Sequence, residues 1–197
     1  AHVQGAYLTL PEPEVGSHIN VYTSNDDCEG PVQVGIRDGG IMSLGSNTLQ
    51  TTANLILRGD GTEYFLRNGG TLNIRKGSEL WVRAGTHLRL EGGTLNMQDS
   101  TRIVIEPGGT LSILNSPVIN LGGTNAQILM LGDFVMDAGS VFAPTGAGYV
   151  YFGSTNPNFF TATGSGCQIH FEGAGPHDKV LKVNNTSWSL PVQVSDF

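Results

Sequence analysis

The chain has 197 residues, a formal net charge of −7, 28 glycines and only 14% charged residues. That length suits one domain with a sizeable core, and the glycine surplus with so little charge argues against both disorder and a helical fold. No apolar run reaches the ~18 residues of a membrane span, and no basic cluster exists beyond Arg75 and Lys76, which argues against nucleic acid and anionic membranes as partners.

The chain opens Ala1-His2-Val3-Gln4-Gly5, without a positively charged apolar leader. It is therefore expected to be cytosolic or to have lost a signal peptide. Residues 1–31 contain Pro11, Pro13 and Pro31 and an acidic stretch over 24–30. Short strands are predicted at 7–10 and 19–22, with a loop over 24–30. Together 1–31 would form an N-terminal cap, because a bare end of stacked strands is an open edge.

A regular beat starts at Val32 with Val32/Val34/Ile36, Met42/Leu44, a looser Leu49, Leu55/Leu57 and Tyr64/Leu66. It becomes strict over 69–121. GGTLN opens at Gly69 and returns 23 residues later at Gly92, and a shorter beat of about eight residues runs inside each period. Each apolar–any–apolar triplet follows a glycine and a Ser, Thr or second Gly. The triplets are Leu72/Ile74, Leu80/Val82, Leu88/Leu90, Leu95/Met97, Ile103/Ile105 and Leu111/Ile113. Alternation at period two marks strands with one buried face, and the glycines mark corners.

Short strands, glycine corners and a 23-residue period predict an all-β fold, a parallel β-solenoid (β-helix) with three short faces and about 23 residues per rung. The solenoid is expected over 32–152, capped at both ends by irregular β segments. A meander or sandwich also has short strands, but neither needs one residue type to return every 23 positions. Stacking the rungs puts Asn73, Asn96 and Asn120 in one column, Thr71 over Thr94, Glu79 over Arg102 and Arg83 over Glu106. Identical or complementary groups ~4.8 Å apart are what a parallel stack selects.

Beyond Asn120 the pattern loosens to Ile128/Met130, Val135, Val141 and a bulky 149–152. Residues 153–166 are rich in Gly, Ser, Thr and Asn and read as a loop. Two further strands are predicted at 167–171 and 179–183, so that 153–189 would form the C-terminal cap. Residues 190–197 lack the beat.

Candidate chemistry is sparse. Cys28 and Cys167 allow one disulfide and cannot make a metal site alone. About five rungs at ~4.8 Å separate them by roughly 25 Å, against the ~7 Å that a bridge tolerates. The five histidines show no spacing typical of metal ligands, and His87 falls on an outward position. Asp26, Asp27 and Glu29 could hold calcium through carboxylate oxygens, although a solvated loop explains them without a metal. Arg58-Gly59-Asp60 is a receptor-recognised tripeptide embedded in an ordinary Gly-Asp-Gly turn signal.

The GGTLxI repeats resemble surface and secreted β-repeat proteins of bacteria. The ending Leu190-Pro191-Val192-Gln193-Val194-Ser195-Asp196-Phe197 is similar to the stretch that, in many type IX secretion system substrates, leads into a small sandwich and a C-terminal sorting signal. Gln168-Ile169-His170-Phe171-Glu172-Gly173-Ala174-Gly175-Pro176 resembles a phrase those proteins carry after their repeats. Asp99-Ser100-Thr101 resembles their acceptor motif for O-glycans. The resemblance implies a protein at the outer surface of a Gram-negative bacterium, or released from it, with its signal peptide removed. It makes the secretion machinery and cell-surface proteins the expected partners. It also makes 190–197 a linker to a downstream domain.

Enzymes on parallel β-helices that cleave polysaccharides gather carboxylates and a cation on one face, and glycoside hydrolysis needs a carboxylate pair. The outward columns Glu79/Arg102 and Arg83/Glu106 pair opposite signs instead. The expected function is a non-enzymatic adhesin or structural spacer. The alternative is a carbohydrate-active enzyme, a lyase or hydrolase, or a glycan-binding module of one. Trp81 is the candidate sugar platform, a packed tryptophan being the plainer reading. Ice binding would need outward Thr-x-Thr arrays on consecutive rungs, and only Thr161-Ala162-Thr163 has that form.

Overall fold

The computed structural model describes residues 54–156 continuously, together with the strand segments 3–4, 18–21, 26–29, 33–36, 41–44, 160–162, 168–170 and 193–195. In chain order the strands are β1 (Val3–Gln4), β2 (His18–Val21), β3 (Asp26–Glu29), β4 (Gln33–Ile36), β5 (Ile41–Leu44), β6 (Asn54–Arg58) and β7 (Glu63–Arg67). There follow β8 (Thr71–Ile74), β9 (Glu79–Val82), β10 (His87–Glu91), β11 (Thr94–Met97), β12 (Arg102–Ile105), β13 (Thr110–Leu114), β14 (Val118–Leu121), β15 (Gln127–Met130) and β16 (Asp133–Met136). The last are β17 (Val141–Phe142), β18 (Pro144–Gly146), β19 (Tyr149–Phe152), β20 (Phe160–Ala162), β21 (Gln168–His170) and β22 (Gln193–Ser195).

Every third strand pairs, always in parallel, so the chain winds into a β-solenoid with three sheets. Face I stacks β2-β5-β8-β11-β14-β18, face II β1-β3-β6-β9-β12-β15-β19, and face III β4-β7-β10-β13-β16-β20. The central register is regular: Thr71 lies beside Thr94 and Thr94 beside Val118, offsets of 23 and 24 residues. An offset of 30 between Ile41 and Thr71 shows where the longer connection at 45–53, outside the described residues, is absorbed.

The core follows from alternation. Leu72, Ile74, Leu80, Val82, Leu88, Leu90, Leu95, Ile103, Ile105, Leu111 and Ile113 are all buried, as their spacing predicts. At the corners, the hydroxyl residue after the glycine has a definite task. Thr86 and Ser140 are buried, and each donates from its backbone N–H and its Oγ to the carbonyl three residues back, Arg83 or Asp137. That closes the turn without leaving a buried hydroxyl unpaired. Gly93 shows why glycine opens a strand here. Its φ is +78°, and a Cβ would collide with the carbonyl oxygens of Arg67 and Gly70 on the rung below.

Four readings change. The acidic stretch at 26–29 is strand β3, in register with Leu55, Ile56, Leu57 and Arg58, not a loop. Part of 1–31 thus extends the sheets, with β2 beside β5; residues 7–10 lie outside the described residues. In the loosened region the inward residues are Phe134, Met136 and Phe142, whereas Val135 and Val141 are only half-buried. Bulk and aromaticity filled the core there, and the β-branched residues that looked like the beat took the outer side. Finally, β20 adds a strand to face III beside β16 within the expected loop at 153–166. In the expected linker, β22 pairs with β21. The strand predicted at 179–183 lies outside the described residues.

Candidate functional site

Face I carries the predicted asparagine column, and its amides bond in series. Asn120 Nδ2 donates to Asn96 Oδ1 at 2.7 Å, and Asn96 Nδ2 to Asn73 Oδ1 at 3.0 Å. Asn73 reaches Ser43 Oγ at 3.4 Å, and Thr145 Oγ1 donates to Asn120 Oδ1 at 3.1 Å. Each amide has two donor hydrogens and two acceptor lone pairs, so the ladder uses about half of the capacity of Asn96. Beside it lies an open groove of about 450 Å³, bordered by Lys76, Asn96, Gln98, Asp99 and Asn120. The Asp99 carboxyl lies below the usual carboxylate range. The backbone N–H of Asn125 bonds it at 3.1 Å, and Ser100 Oγ donates to it at 3.0 Å.

Face III holds a charged cluster that the sequence reading missed. Arg89 lies 2.9 Å from Glu91 and 3.9 Å from Glu63. Arg67 donates to the other oxygen of Glu91 at 2.9 Å, and His87 Nδ1 lies 3.6 Å from Glu63. Both guanidinium groups sit over the Phe65 ring, at 4.6 Å for Arg67 and 5.2 Å for Arg89. Phe65 is 6% exposed although it points outward, because the two arginines roof it. His87 falls on an outward position as predicted, but beside an acid. The signal for this cluster was available: 63, 87 and 67, 91 stand 24 apart.

Face II positions Trp81. The predicted neighbours are in place: Arg102 Nη2 contacts Glu79 at 2.7 Å, and Arg83 lies 3.8 Å from Glu106. Trp81 is half-buried, and its indole N–H donates to Glu79 Oε2 at 2.8 Å. Glu79 therefore bridges the tryptophan of its own rung and the arginine of the next.

The remaining candidates divide by place. Cys28 lies on β3 at the first-rung end, in register with Leu57; Cys167 lies outside the described residues. Asp26, Asp27 and Glu29 share β3, an extended segment whose side chains are outside the described residues. Among the described residues no three His, Cys, Asp or Glu side chains converge as a metal site would require. Likewise no helix there is long and apolar enough to cross a membrane. Asp133 and Asp137 stand at either end of β16, not across a corner.

Neither the protein-family models nor the curated proteins nor the solved structures contain a match to this chain.

Proposed function

We propose that this chain is a non-enzymatic module exported to the outer surface of a Gram-negative bacterium, acting as an adhesin or as a stiff spacer. The observation that supports it is the commitment of outward polar groups to their neighbours up and down the stack. The amides of Asn73, Asn96 and Asn120 bond to one another, and Glu79, Glu91 and Glu106 each meet an arginine of an adjacent rung. Such contacts stiffen a rod and specify its register, as cross-strand pairs do in any sheet. Its external contacts would be glycans or protein surfaces. The similarity of 190–197 to type IX substrates supports that route of export, with the secretion machinery as transient partner.

A second reading, a carbohydrate-active enzyme or its glycan-binding module, draws on face III. Glu63 and Glu91 with His87, Arg67 and Arg89 put two carboxylates, an imidazole and two cations on one surface. Acid, base and an anion-binding group are what polysaccharide cleavage requires. The two readings separate in one assay. Incubation with neutral and uronate-containing polysaccharides should release no new reducing ends or unsaturated products, while glycan arrays or cell-surface proteins retain the chain. Turnover abolished by Glu91→Gln would instead establish the enzyme.

A further inference from the structure

The middle outward position of face II is apolar on every described rung. Register runs Ile56, Trp81, Val104, Leu129, Tyr151, one above another along the rod. Four of these are half-buried, and Val104, although it points outward, is 3% exposed. Most outward middle positions of faces I and III are polar or charged: Ser43, Asn73, Asn96 and Asn120 on one, Arg89 and Ser112 on the other. On a strand that faces water on one side, alternation should deliver polar residues outward. An unbroken apolar column there marks an interaction surface.

The borders of the column indicate what it meets. On one side stand Glu79 and then Arg102 on the next rung; on the other stand Arg83 and then Glu106. The signs alternate along each border and oppose across the column. A two-fold axis lying in the face, between these rungs and perpendicular to the rod, carries each border onto itself with the rungs reversed. Glu79 then faces Arg102 of a second copy, Arg83 faces Glu106, and Trp81 stands opposite the low, already covered Val104. Ile56 stands opposite Leu129. An isologous contact needs such self-complementarity, and a strand face with no net charge favours neither an acidic nor a basic foreign partner.

We infer that face II is a self-association surface, on which two copies of this chain pack antiparallel through the Ile56–Trp81–Val104–Leu129–Tyr151 column. Five rungs at ~4.8 Å and five residues at ~3.3 Å give a face of about 20 by 13 Å, at the low end of specific interfaces. The pair is consequently weak, suited to rods crowded on a surface or arrayed in tandem.

The test is sedimentation of the whole chain from 10 µM to 1 mM. The expected result is a reversible monomer–dimer equilibrium that Trp81→Arg and Leu129→Lys each weaken at least tenfold, with unchanged circular dichroism. The charge swap Glu79→Arg/Arg102→Glu keeps every antiparallel pairing and should keep the dimer. In a parallel pair, position 79 would face Arg83 of the second copy, and the swap would abolish the contact. A monomer throughout the range overturns the inference, as does a dimer insensitive to Trp81→Arg and Leu129→Lys. Loss of the dimer in the charge swap overturns the antiparallel arrangement. Binding of neutral oligosaccharides such as cellohexaose, lost in Trp81→Arg while the chain stays monomeric, would assign the face to glycans instead.

Discussion

The central rungs and the C-terminal rungs solve the same problem with different side chains. Between β8 and β14 the interior is aliphatic, and the face I and face III registers advance by 23 or 24 residues. Between β14 and β20 the advance varies: 25 from Ile119 to Pro144, 22 from Gln127 to Tyr149 and 26 from Phe134 to Phe160. There the interior is aromatic. Phe134 meets the rings of Phe142, Phe152 and Phe160 with centroids at 5.1, 5.5 and 5.6 Å. The ladder and a filled interior are therefore the fixed requirements, and rung length is not. Irregular connections are tolerated where large rings fill the volume that strict repetition fills with Leu and Ile.

The sharpest way to break that comparison is to empty each interior. Phe134→Ala should cost about 3–5 kcal/mol, plus ~0.5–1.5 for each lost ring pair, limited by how far the end relaxes. Leu88→Ala, in the aliphatic centre, should cost about 2–5 kcal/mol. Urea denaturation gives both values. Hydrogen exchange should show Phe134→Ala loosening β16 to β19 first and leaving β8 to β11 protected. Uniform loosening would mean that the two ends are not separable.

The asparagine column allows the same contrast at lower cost. Asn96→Leu removes two inter-rung bonds at the centre, worth about 1 kcal/mol each, and leaves Asn73 Oδ1 and Asn120 Nδ2 short of a partner. Thr145→Val near the end removes one bond of that column and should cost about half as much by the same measurement.

On face III, Arg89→Ala should cost about 1 kcal/mol. An exposed ion pair contributes ~0.2–1 kcal/mol, and an exposed cation–π contact ~0.5–1. An outward residue read from sequence alone would be expected to cost within ~0.5 kcal/mol, so this value sharpens what the structure adds.

The smallest effect is the pH response of Asp99. Its folded carboxyl titrates below the ordinary 3.8, so it stabilises the fold above the unfolded value, and that contribution disappears as pH falls through the folded value. Asp99→Asn should melt slightly lower than the parent at pH 7 and match it once pH is well below 3.8. A gap that persists in acid would point to a lost contact unrelated to charge.

Much of this architecture was legible from residues alone, for a physical reason: a parallel stack repeats its environment, so Asn73, Asn96 and Asn120 announce one another. The inward aliphatics did the same. Legibility failed where the period broke. The 30-residue advance between β4 and β7 hid the rung that holds Glu63 and Arg67, so its pairing with His87 and Glu91 passed unseen. It failed again where a triplet's middle residue was treated as free, because Trp81 and Val104 become a column only when stacked on Leu129 and Tyr151. Phe134 was overlooked because Val135 looked the better strand residue, and burial went by volume instead.

The central claim is parallel stacking in this register, and a pair of engineered cysteines tests it most directly. With Cys28 and Cys167 replaced by serine, Asn73→Cys/Asn96→Cys places two thiols on adjacent strands. Their Cα atoms should lie ~4.8 Å apart, inside the ~4.4–6.8 Å range of a disulfide. Mild oxidation should close that bond nearly completely in the folded monomer. Asn73→Cys/Asn120→Cys, two rungs apart at ~9.6 Å, should stay reduced. Free thiols in the first variant, or equal closure in both, would contradict the solenoid.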